Sequence, residues 1–501
     1  MKRRLEYMLV VVIAAILYIL LGTDAGWLVK AAASVLYASI ILYSMYSLVL
    51  ENRTPQHTLL WLYVLLFFPL FGYIFYLYSG QLYLKGYLFR SKRKNDREEW
   101  HRLVKDGQTF DQSLIPEAHL GFAHYAQRVA ITAMDTETHT SILRNGEETF
   151  DEIKRRLREA RHYIHIQYYI FRSDLLGQSL MDILIQKAGE GVEVRFLYDG
   201  LGSLSLAGSD IARMKEAGIA VHGFLPIKYA FFNQKFNFRN HRKIIVIDGS
   251  VGFVGGLNVG VEYLGEDKGI GFWRDTHMVM EGSAVQTLHA VFLLDWDYAA
   301  GECLLEDPRY TEAKPAPGSD GVVHVVASGP DTQQGVMGDM LYTMIASARE
   351  SIWIATPYFI PNEAIRTALR VAANRGVQVQ IMVPEINDGY LTQYATRSYF
   401  PELLRCGVEI YSYQKGFLHQ KITIVDGDLA TIGTANMDMR SFHLNFEVNV
   451  FLMGASSIRD LVQHYEDDRK DSTRVMPVQF YKRGRKERTK ESFARLFSGV
   501  L

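Results

Sequence analysis

The chain repeats one order of segments, and this repeat limits the folds that it can adopt. In the first copy, "HYIHIQYYIF", "GVEVRFLYD" and "AGIAVHGF" precede "NHRKIIVIDGSVGFVGGLN", which begins at Asn240. In the second copy, "SIWIATPYFIP", "RGVQVQIMVP" and "CGVEIYSY" precede "LHQKITIVDGDLATIGTAN", which begins at Leu418. An internal duplication gives each copy the same architecture, so we expect two similar domains.

Apolar segments alternate with helical patterns in both copies, which is typical of an α/β protein. The quoted segments are rich in β-branched and aromatic residues, and they indicate buried strands. Helical patterns run over 177–189, 209–217 and 363–374. We therefore predict two tandem domains, each a mixed sheet flanked by helices, that pack about a pseudo-twofold axis.

Changes in composition predict the domain boundaries. The stretch "DPRYTEAKPAPGSDG" is rich in proline, glycine and charge, which is typical of a linker. We expect a membrane-anchoring region over 1–80, a basic linker over 81–110, a first domain over 111–306, a linker over 307–321 and a second domain over 322–501.

The last segment of each copy carries a histidine and a lysine two residues apart, His241 with Lys243 and His419 with Lys421. Side chains alternate across a strand, so each pair points to the same face. Two histidines and two lysines around one spot match a phosphate diester. The lysines neutralise its oxygens, one neutral histidine attacks phosphorus, and the other transfers a proton.

Each motif continues with an aspartate and an asparagine. Asp248 and Asp426 complete the H-x-K-x4-D pattern of the catalytic motif, but their parity along the strand is opposite to that of the histidines. We therefore expect them to anchor the following turn or a neighbouring segment. The glycine-rich stretches that follow let the backbone approach a ligand, with Asn258 and Asn436 as neutral donors that bind substrate.

A catalytic histidine needs its second ring nitrogen held. Candidates after the asparagines are Glu262 and Asp275 in the first copy and Asp438 and Glu447 in the second. We favour Asp275 and Glu447 as the carboxylates that orient the histidines, with structural or surface salt bridges as the alternative. A metal site is less favoured, because no second histidine or carboxylate lies at the close spacing of metal ligands.

Three apolar stretches fill the first 80 residues: Tyr7–Leu21, Ala31–Leu50 and Leu59–Tyr78. A bilayer core needs about 20 apolar residues per helix. The second and third stretches reach that length, whereas the short first stretch also suits a signal peptide, and the third contains Pro69 and could bend. A buried helical domain of a soluble protein is the alternative. We expect a multi-pass protein of the cell membrane.

Charge and cysteine content exclude other classes. The chain has 54 Lys+Arg and 55 Asp+Glu, so its balance predicts no nucleic-acid partner. Its two cysteines, Cys303 and Cys406, predict neither a disulfide framework nor a thiolate metal site. Basic residues flank the apolar region on both sides, which favours catalytic domains in the cytoplasm if the chain crosses three times.

The paired H-x-K-x4-D-G-x5-G-x-x-N motifs resemble the phospholipase D superfamily. The pieces "RNHRKIIVIDG", "WRDTH", "GFLHQKITIVDG" and "RSFHLNFEVN", with the apolar "LLWLYVLLFFPLFGYIFYLYSG", are similar to bacterial cardiolipin synthases. The resemblance covers nearly the whole chain. It implies transfer of a phosphatidyl group from one phosphatidylglycerol to another, giving cardiolipin and glycerol through a phosphohistidine, with no cofactor. It also implies that His241 is the nucleophile and His419 the general acid and base.

Two rival functions stay open at this point. A membrane-anchored phosphodiesterase that hydrolyses lipid or nucleic acid needs the same site, although the membrane segments and the balanced charge count against a nuclease. A non-catalytic membrane scaffold is opposed by two complete motifs. The oligomeric state does not follow from the sequence.

Two further stretches mix basic and apolar residues. The first, 228–239, suits either an interfacial membrane contact or a loop packed over the site. The second is the C-terminal "FYKRGRKERTKESFARLFSGVL", whose apolar residues have helical spacing. We expect it to pack on the second domain, with contact to anionic lipid as the alternative.

Overall fold

The computed structural model describes residues 2–50, 55–68, 71–72, 76, 88–103, 112–226, 235–267, 269, 271–316, 321–332, 335–499 and 501. The chain forms two compact units, Met1–Tyr87 and Leu88–Leu501. Both copies of the sequence repeat lie within the second unit.

The N-terminal unit is helical, with α1 (Lys2–Gly22), α2 (Trp27–Leu50) and α3 (Pro55–Phe67). Ile13, Leu48 and Leu65 are fully buried where the helices meet. Many other large apolar side chains of this unit are exposed, as a surface in contact with lipid requires. Among the described residues, α2 is the one helix that is long and apolar enough to cross a bilayer, and the apolar parts of the other two are shorter. Pro69, where we expected a bend, lies outside the described residues.

The first copy of the repeat forms a seven-stranded sheet with the order β1-β8-β6-β5-β2-β3-β4. The strands of this copy are β1 (Thr138–Arg144), β2 (Tyr163–Tyr168), β3 (Glu193–Asp199), β4 (Ala220–Phe224), β5 (Ile244–Ile247), β6 (Val251–Gly255), β7 (Phe272–Arg274) and β8 (Thr276–Gly282). Two helices precede this copy, α4 (Arg90–Leu103) and α5 (Leu120–Val129), and α5 packs in the core of the second copy. The helices of the first copy are α6 (Asn145–Glu159), α7 (Leu175–Gly189), α8 (Gly208–Glu216), α9 (Ala284–Ala300) and α10 (Pro308–Thr311). Short 3-10 helices span Gln112–Leu114, Glu117–His119 and Val261–Leu264.

The second copy forms an eight-stranded sheet with the order β19-β13-β12-β10-β15-β16-β18-β9. Its strands are β9 (Val322–Ser328), β10 (Ser351–Ala355), β11 (Phe359–Ile360), β12 (Gln378–Pro384), β13 (Glu409–Tyr413), β14 (Gly416–Leu418), β15 (Ile422–Val425), β16 (Leu429–Gly433), β17 (Met437–Asp438), β18 (Glu447–Met453) and β19 (Ser472–Arg474). Its helices are α11 (Val336–Ser347), α12 (Glu363–Asn374), α13 (Tyr390–Ser398), α14 (Phe400–Leu404), α15 (Met439–His443), α16 (Ser457–Lys470), α17 (Pro477–Tyr481) and α18 (Arg485–Arg495).

The two sheets have the same topology. Read from β4 to β1, the first sheet matches the second from β13 to β9, and β19 is an additional edge strand. In each sheet the strand of the first quoted segment pairs parallel with the next strand and antiparallel with the motif strand. The predicted class, two tandem mixed sheets flanked by helices, is therefore confirmed. The predicted helices agree with α7, α8 and α12 to within about two residues at each end.

The motif strands β5 and β15 are buried on both faces because each lies near the middle of its sheet. An aspartate at the end of each strand begins a three-residue hairpin loop. Asp248 and Asp426 have φ values of 52° and 54°, in the left-handed region. Asp248 accepts hydrogen bonds from the backbone N–H groups of Arg161, His162 and Tyr163 at 2.7–2.9 Å. Asp426 accepts the equivalent three, from residues 349–351, at 2.8 Å.

These carboxylates fasten the end of each motif strand to the start of its neighbour. They lie at the opposite end of the strand from the histidines, and they anchor a neighbouring segment, which is the role that we expected from their parity.

We predict that Asp248→Ala and Asp426→Ala each lower the free energy of unfolding by about 1.5–3 kcal/mol, because three backbone donors lose a charged acceptor and alanine disfavours positive φ. Asp426→Asn, which keeps one acceptor oxygen, should lose less. Thermal unfolding of the purified protein in detergent measures the effect. A loss of turnover by Asp426→Ala without any loss of stability would contradict this structural role.

Candidate active site

Each motif histidine lies three residues before its motif strand, where the two halves of the second unit meet. The backbone N–H of His241 donates to the carbonyl of Phe446 in the other half at 2.9 Å. The N–H of His419 donates to the carbonyl of Arg274 at 2.7 Å, and β14 pairs parallel with β7 beside it. Gly416 permits this strand pairing, since a Cβ there would lie 2.0 Å from a backbone oxygen of Phe272. The main chain therefore fixes both histidines at the interface between the halves.

The side chains of the histidines also bind across this interface. His241 Nδ1 lies 2.9 Å from Glu447 Oε2, and His419 Nδ1 lies 2.7 Å from Asp275 Oδ2. Each carboxylate directly follows the residue whose carbonyl accepts the histidine N–H. Both carboxylates are fully buried. The two favoured carboxylates thus contact the histidines, and each half supplies the carboxylate for the histidine of the other.

The two contacts set the state of the imidazoles. Because Nδ1 donates to a carboxylate, the lone pair of a neutral ring lies on Nε2. Burial lowers the pKa of His241 to about 4 and that of His419 to about 3, against the opposite effect of the carboxylates. Both rings are therefore neutral near pH 7 in the empty site. Nearby charge keeps the carboxylates ionised: although burial raises the pKa of Asp275, Lys421 and His419 lower it below its usual value.

The two lysines are buried cations that share this space. Lys243 Nζ donates to the backbone oxygen of His241 at 2.7 Å, and Lys421 Nζ lies 3.1 Å from His419 Nε2. Burial lowers the pKa of Lys243 to about 7 and that of Lys421 to about 8. The positive charge of Lys421 contributes to the lowered pKa of Lys243. An anion placed between them would relieve both the burial and the repulsion.

The asparagines of the two motifs differ in their contacts. Asn258 Oδ1 accepts from the backbone N–H of Ile170 and its Nδ2 donates to Tyr263, each at 3.1 Å, so both ends of the amide are used within the protein. Asn436 Oδ1 is buried without a hydrogen-bond partner among the described residues. The carboxylate of Asp438 interacts with the Asn436 side chain.

The glycines of the motif make room for protein groups. A Cβ at Gly256 would lie 2.1 Å from Asp275 Oδ1, so this glycine admits the carboxylate that holds His419. Gly433 is enclosed by the backbone of Val448 and the side chain of Asn449. We expected the glycine-rich stretches to admit a ligand, but at these two positions the space belongs to the protein.

The other two candidate carboxylates have structural contacts. Glu262 pairs with Arg172 at 2.6 Å. Asp438 accepts from the backbone N–H of Ser441 at 2.7 Å and caps α15. Within the described part of the chain, neither carboxylate binds His241 or His419.

Sequence reasoning missed a buried ion cluster behind the first motif. Arg242, between His241 and Lys243, points to the opposite face, where its guanidinium donates to Asp295 at 2.7 Å and to the carbonyl of Ser328 at 3.1 Å. Lys92 of α4 reaches Asp295 at 3.3 Å and Asp331 at 3.0 Å. Lys92 belongs to the basic residues that follow the apolar region in the sequence, but it is 4% exposed.

The second motif has a related network. Gln420, between His419 and Lys421, donates to Thr276 at 2.8 Å and to Asp468 at 3.2 Å, and Asp468 also pairs with Arg274 at 2.8 Å. Asp295 lies on α9, which follows β8, and Asp468 on α16, which follows β18, so the two aspartates occupy matching places. The middle residue of each motif therefore holds the motif strand from behind.

Much of the basic and aromatic stretch 228–239 lies outside the described residues, which resume at Lys235. Its described part packs on the catalytic unit. Lys235 Nζ lies 4.9 Å from the ring centroid of Phe89, and Arg239 pairs with Asp199 at 3.2 Å. These contacts agree with the alternative of a packed loop for 235–239.

Two similar domains that hold their histidines across a shared interface define a class of enzyme, the two-motif phospholipase D-like enzymes. The family described as "Cardiolipin synthase, PLD-like domain" matches residues 153–296 and 341–469. A probable cardiolipin synthase of Bacillus subtilis (strain 168) is 56% identical over 501 residues, 100% of both chains. A cardiolipin synthase of Halalkalibacterium halodurans is 46% identical over 505 residues, also 100% of both. The chain belongs to the cardiolipin synthase family and is a phosphatidyltransferase of the phospholipase D type.

A solved structure shows the same fold at low sequence identity. The phosphatidylserine synthase of Haemophilus influenzae Rd KW20 superposes with a TM-score of 0.57 at 15% identity, covering 76% of this chain and 99% of that one. The likeness supports the two-domain architecture.

We predict that Lys92→Met lowers the free energy of unfolding by about 3–5 kcal/mol, because it leaves the buried carboxylates of Asp295 and Asp331 and the partly buried one of Asp96 with one cation, that of Arg242. Burial already raises the pKa of Asp96, which binds Lys92 at 2.6 Å, to about 7. Removing the cation raises these folded-state pKa values further, so the deficit should shrink as pH falls and the carboxylates protonate.

Lys94→Met is the matched control, because the Lys94 side chain on the same helix is 77% exposed. Thermal unfolding in detergent at several pH values measures both variants. Equal stability of the two variants, or a deficit independent of pH, would contradict the role of the cluster.

Proposed function

We propose that the chain makes cardiolipin by transferring a phosphatidyl group from one phosphatidylglycerol to the hydroxyl of another, with release of glycerol. The observation that carries this proposal is the crosswise pairing of His241 with Glu447 and His419 with Asp275, which puts both motifs in one site. Membership of the cardiolipin synthase family supports the reaction.

In the proposed first step, the phosphate of phosphatidylglycerol binds between Lys243 and Lys421. Nε2 of His241 attacks phosphorus, the bond from phosphorus to the glycerol oxygen breaks, and protonated His419 gives its proton to that oxygen. The bound phosphate anion raises the pKa of His419 and so favours the protonated form. Glu447 keeps the Nε2 lone pair of His241 available. The assignment of His241 as nucleophile follows family likeness, because the contacts of the two histidines are nearly symmetric.

In the proposed second step, a hydroxyl of another phosphatidylglycerol gives its proton to neutral His419 and attacks the phosphohistidine. The phosphorus–nitrogen bond breaks, cardiolipin forms, and the site returns to its starting state. The lysines stabilise the charge on the phosphoryl oxygens in both transition states.

Asn436 supports phosphatidylglycerol as the lipid that enters the site. Its buried Oδ1 is an acceptor without a partner among the described residues. A ligand that donates a hydrogen bond to such an atom removes the free-energy cost of leaving it unpaired. Glycerol hydroxyls are donors, whereas a phosphodiester anion has none. We propose that Asn436 accepts a hydrogen bond from a glycerol hydroxyl, while Asn258 shapes the site through Ile170 and Tyr263.

We further propose that the enzyme is a multi-pass protein of the cell membrane with its catalytic unit in the cytoplasm. Helices α1 and α3 pack on α2 and also carry exposed apolar side chains. These side chains support the proposal that more than one helix lies in lipid. The basic residues that precede and follow the apolar region support the orientation.

The reaction is tested by giving the purified protein phosphatidylglycerol in mixed micelles and following the products by mass. We expect cardiolipin and glycerol in equal amounts. His241→Ala and His419→Ala should each lower turnover at least about 10²–10⁴-fold, and His162→Ala, an exposed histidine, should not. Release of phosphatidic acid without cardiolipin would contradict the transfer reaction and favour a hydrolase.

The pH profile tests the role of the buried lysines. In the free enzyme Lys243, with a pKa of about 7, and Lys421, with a pKa of about 8, lose their charge as pH rises, so kcat/KM should fall above about pH 7–8. A bound phosphodiester raises the lysine pKa values, so kcat should persist to higher pH than kcat/KM.

Lys94→Met, which removes an exposed charge, should leave the profile unchanged. If kcat and kcat/KM fell at the same alkaline pH, or if kcat/KM stayed constant to about pH 10, the lysines would not be the groups that bind the phosphate.

A further inference from the structure

The C-terminal end of the catalytic unit carries an exposed apolar surface that the reaction does not use. We call it the C-terminal patch and define it by α17, α18 and the turn that follows α18. Its large exposed apolar side chains, among them Leu496 at 71%, are Met476, Val478, Tyr481, Phe493, Leu496 and Phe497. Six exposed large apolar side chains occur within 22 residues. A group of this kind on a protein surface is typical of a site that contacts a partner or a membrane.

Basic residues lie close to these apolar residues in the sequence. Between 482 and 497 the chain has seven basic and two acidic residues, although the whole protein is nearly neutral. Both acidic residues are paired with basic groups: Glu487 with Lys490 at 2.8 Å, and Glu491 with Arg483 at 2.7 Å. Of the other five basic residues, Arg495 pairs with Glu402 at 3.8 Å, whereas Lys482, Arg485, Lys486 and Arg488 are exposed without a recorded acidic partner among the described residues. The patch therefore presents positive charge together with apolar side chains.

The patch is fixed to the second domain by the inner face of α18. Glu491 also binds Arg397 of α13 at 3.4 Å, and Lys490 donates to Tyr394 at 2.9 Å. Ala494 is buried in the core of the domain. The packing on the second domain that we expected therefore occurs on one face of α18. Lys486 and Phe493, on the opposite face, are exposed.

The end of the chain connects the patch to the active site. The carbonyl of Leu501 accepts a hydrogen bond from the backbone N–H of Arg440 at 3.1 Å, and Leu501 packs against the domain core. Arg440 lies on α15, which Asp438 caps two residues after Asn436. Three residues therefore lie between Phe497 of the patch and Leu501, which touches the helix beside the site.

We infer that the C-terminal patch lies on the surface of an anionic bilayer and brings the active site to its lipid. The exposed aromatic and aliphatic side chains enter the boundary between headgroups and acyl chains, while the four basic residues contact anionic headgroups. Charge complementarity favours this occupant over a second copy of the chain, whose patch would carry the same positive charge. The inference rests on the proposed function only for the statement that the substrate lipid is drawn from this surface.

The experiment uses the full chain in nanodiscs, with both native cysteines replaced by serine and an environment-sensitive fluorophore at Phe493→Cys. The discs contain phosphatidylcholine with or without phosphatidylserine, an anionic lipid that is not the proposed substrate. We expect a blue-shifted emission, quenched by bromine-labelled acyl chains, that strengthens with phosphatidylserine. Val371→Cys, an equally accessible site on α12, should stay water-exposed in both discs.

Identical water-exposed emission at 493 and 371 in both discs would overturn the inference. So would a blue shift that appears only as protein concentration rises and coincides with crosslinking between copies, since it would assign the patch to a dimer.

A second measurement separates this contact from catalysis. The variant Lys482→Gln/Arg485→Gln/Lys486→Gln/Arg488→Gln should raise the KM for phosphatidylglycerol in vesicles by at least about tenfold, and keep kcat in detergent micelles. Loss of kcat in micelles would overturn the inference by assigning these residues to the reaction. If the unaltered protein made no cardiolipin, the proposed function would fail while the fluorescence result would still decide the membrane contact.

Discussion

The active site depends on the exchange of carboxylates between two similar domains. His241 and His419 each contact, through Nδ1, a carboxylate of the opposite half, and through the backbone N–H the carbonyl that precedes it. Orientation of the catalytic groups and association of the domains are therefore one interaction. A displacement of the domains would release both imidazoles together, which explains why the two repeats form one compact unit.

The exchange places two lysines in a buried space where neither is well solvated. Burial and mutual repulsion lower the pKa of Lys243, and burial lowers that of Lys421. Such a site is electrostatically incomplete until an anion enters, so part of the binding free energy of a phosphodiester comes from relief of that state. Behind the motifs, Arg242 and Gln420 are held by Asp295 and Asp468, so the strands that carry the histidines cannot shift easily. The two lysines thus repel each other on one side of the motif strands, whereas Arg242 and Gln420 make fixed contacts on the other side.

The C-terminal patch would give the catalytic unit its own contact with the bilayer. This patch combines exposed apolar side chains with unneutralised basic residues, and the end of the chain returns to the helix beside Asn436. A phosphatidyl group that must pass to a lipid alcohol and not to water is best handled where both lipids are delivered from one surface. The apolar helix α2 is long enough to anchor the enzyme in the bilayer, and the patch would decide which face of the catalytic unit meets it.

Much of the architecture follows from the sequence, because local pattern carries it. Strand and helix periodicity, repeated in the same order, predicted two alike mixed sheets, and the parity of Asp248 and Asp426 along their strands indicated an anchoring role. The paired motifs likewise indicated phosphoryl chemistry and the family. The crosswise assignment of Asp275 and Glu447 did not follow, since spacing along the chain does not say which domain a side chain will face. Nor did the burial of Lys92, which has the sequence of an exposed basic helix and becomes an interior ion only because Asp295 and Asp331 meet it from distant segments. The sequence by itself thus determined the repeat, the class of fold and the chemistry. Only the tertiary structure decided which groups touch, because those contacts join residues that are far apart in the chain.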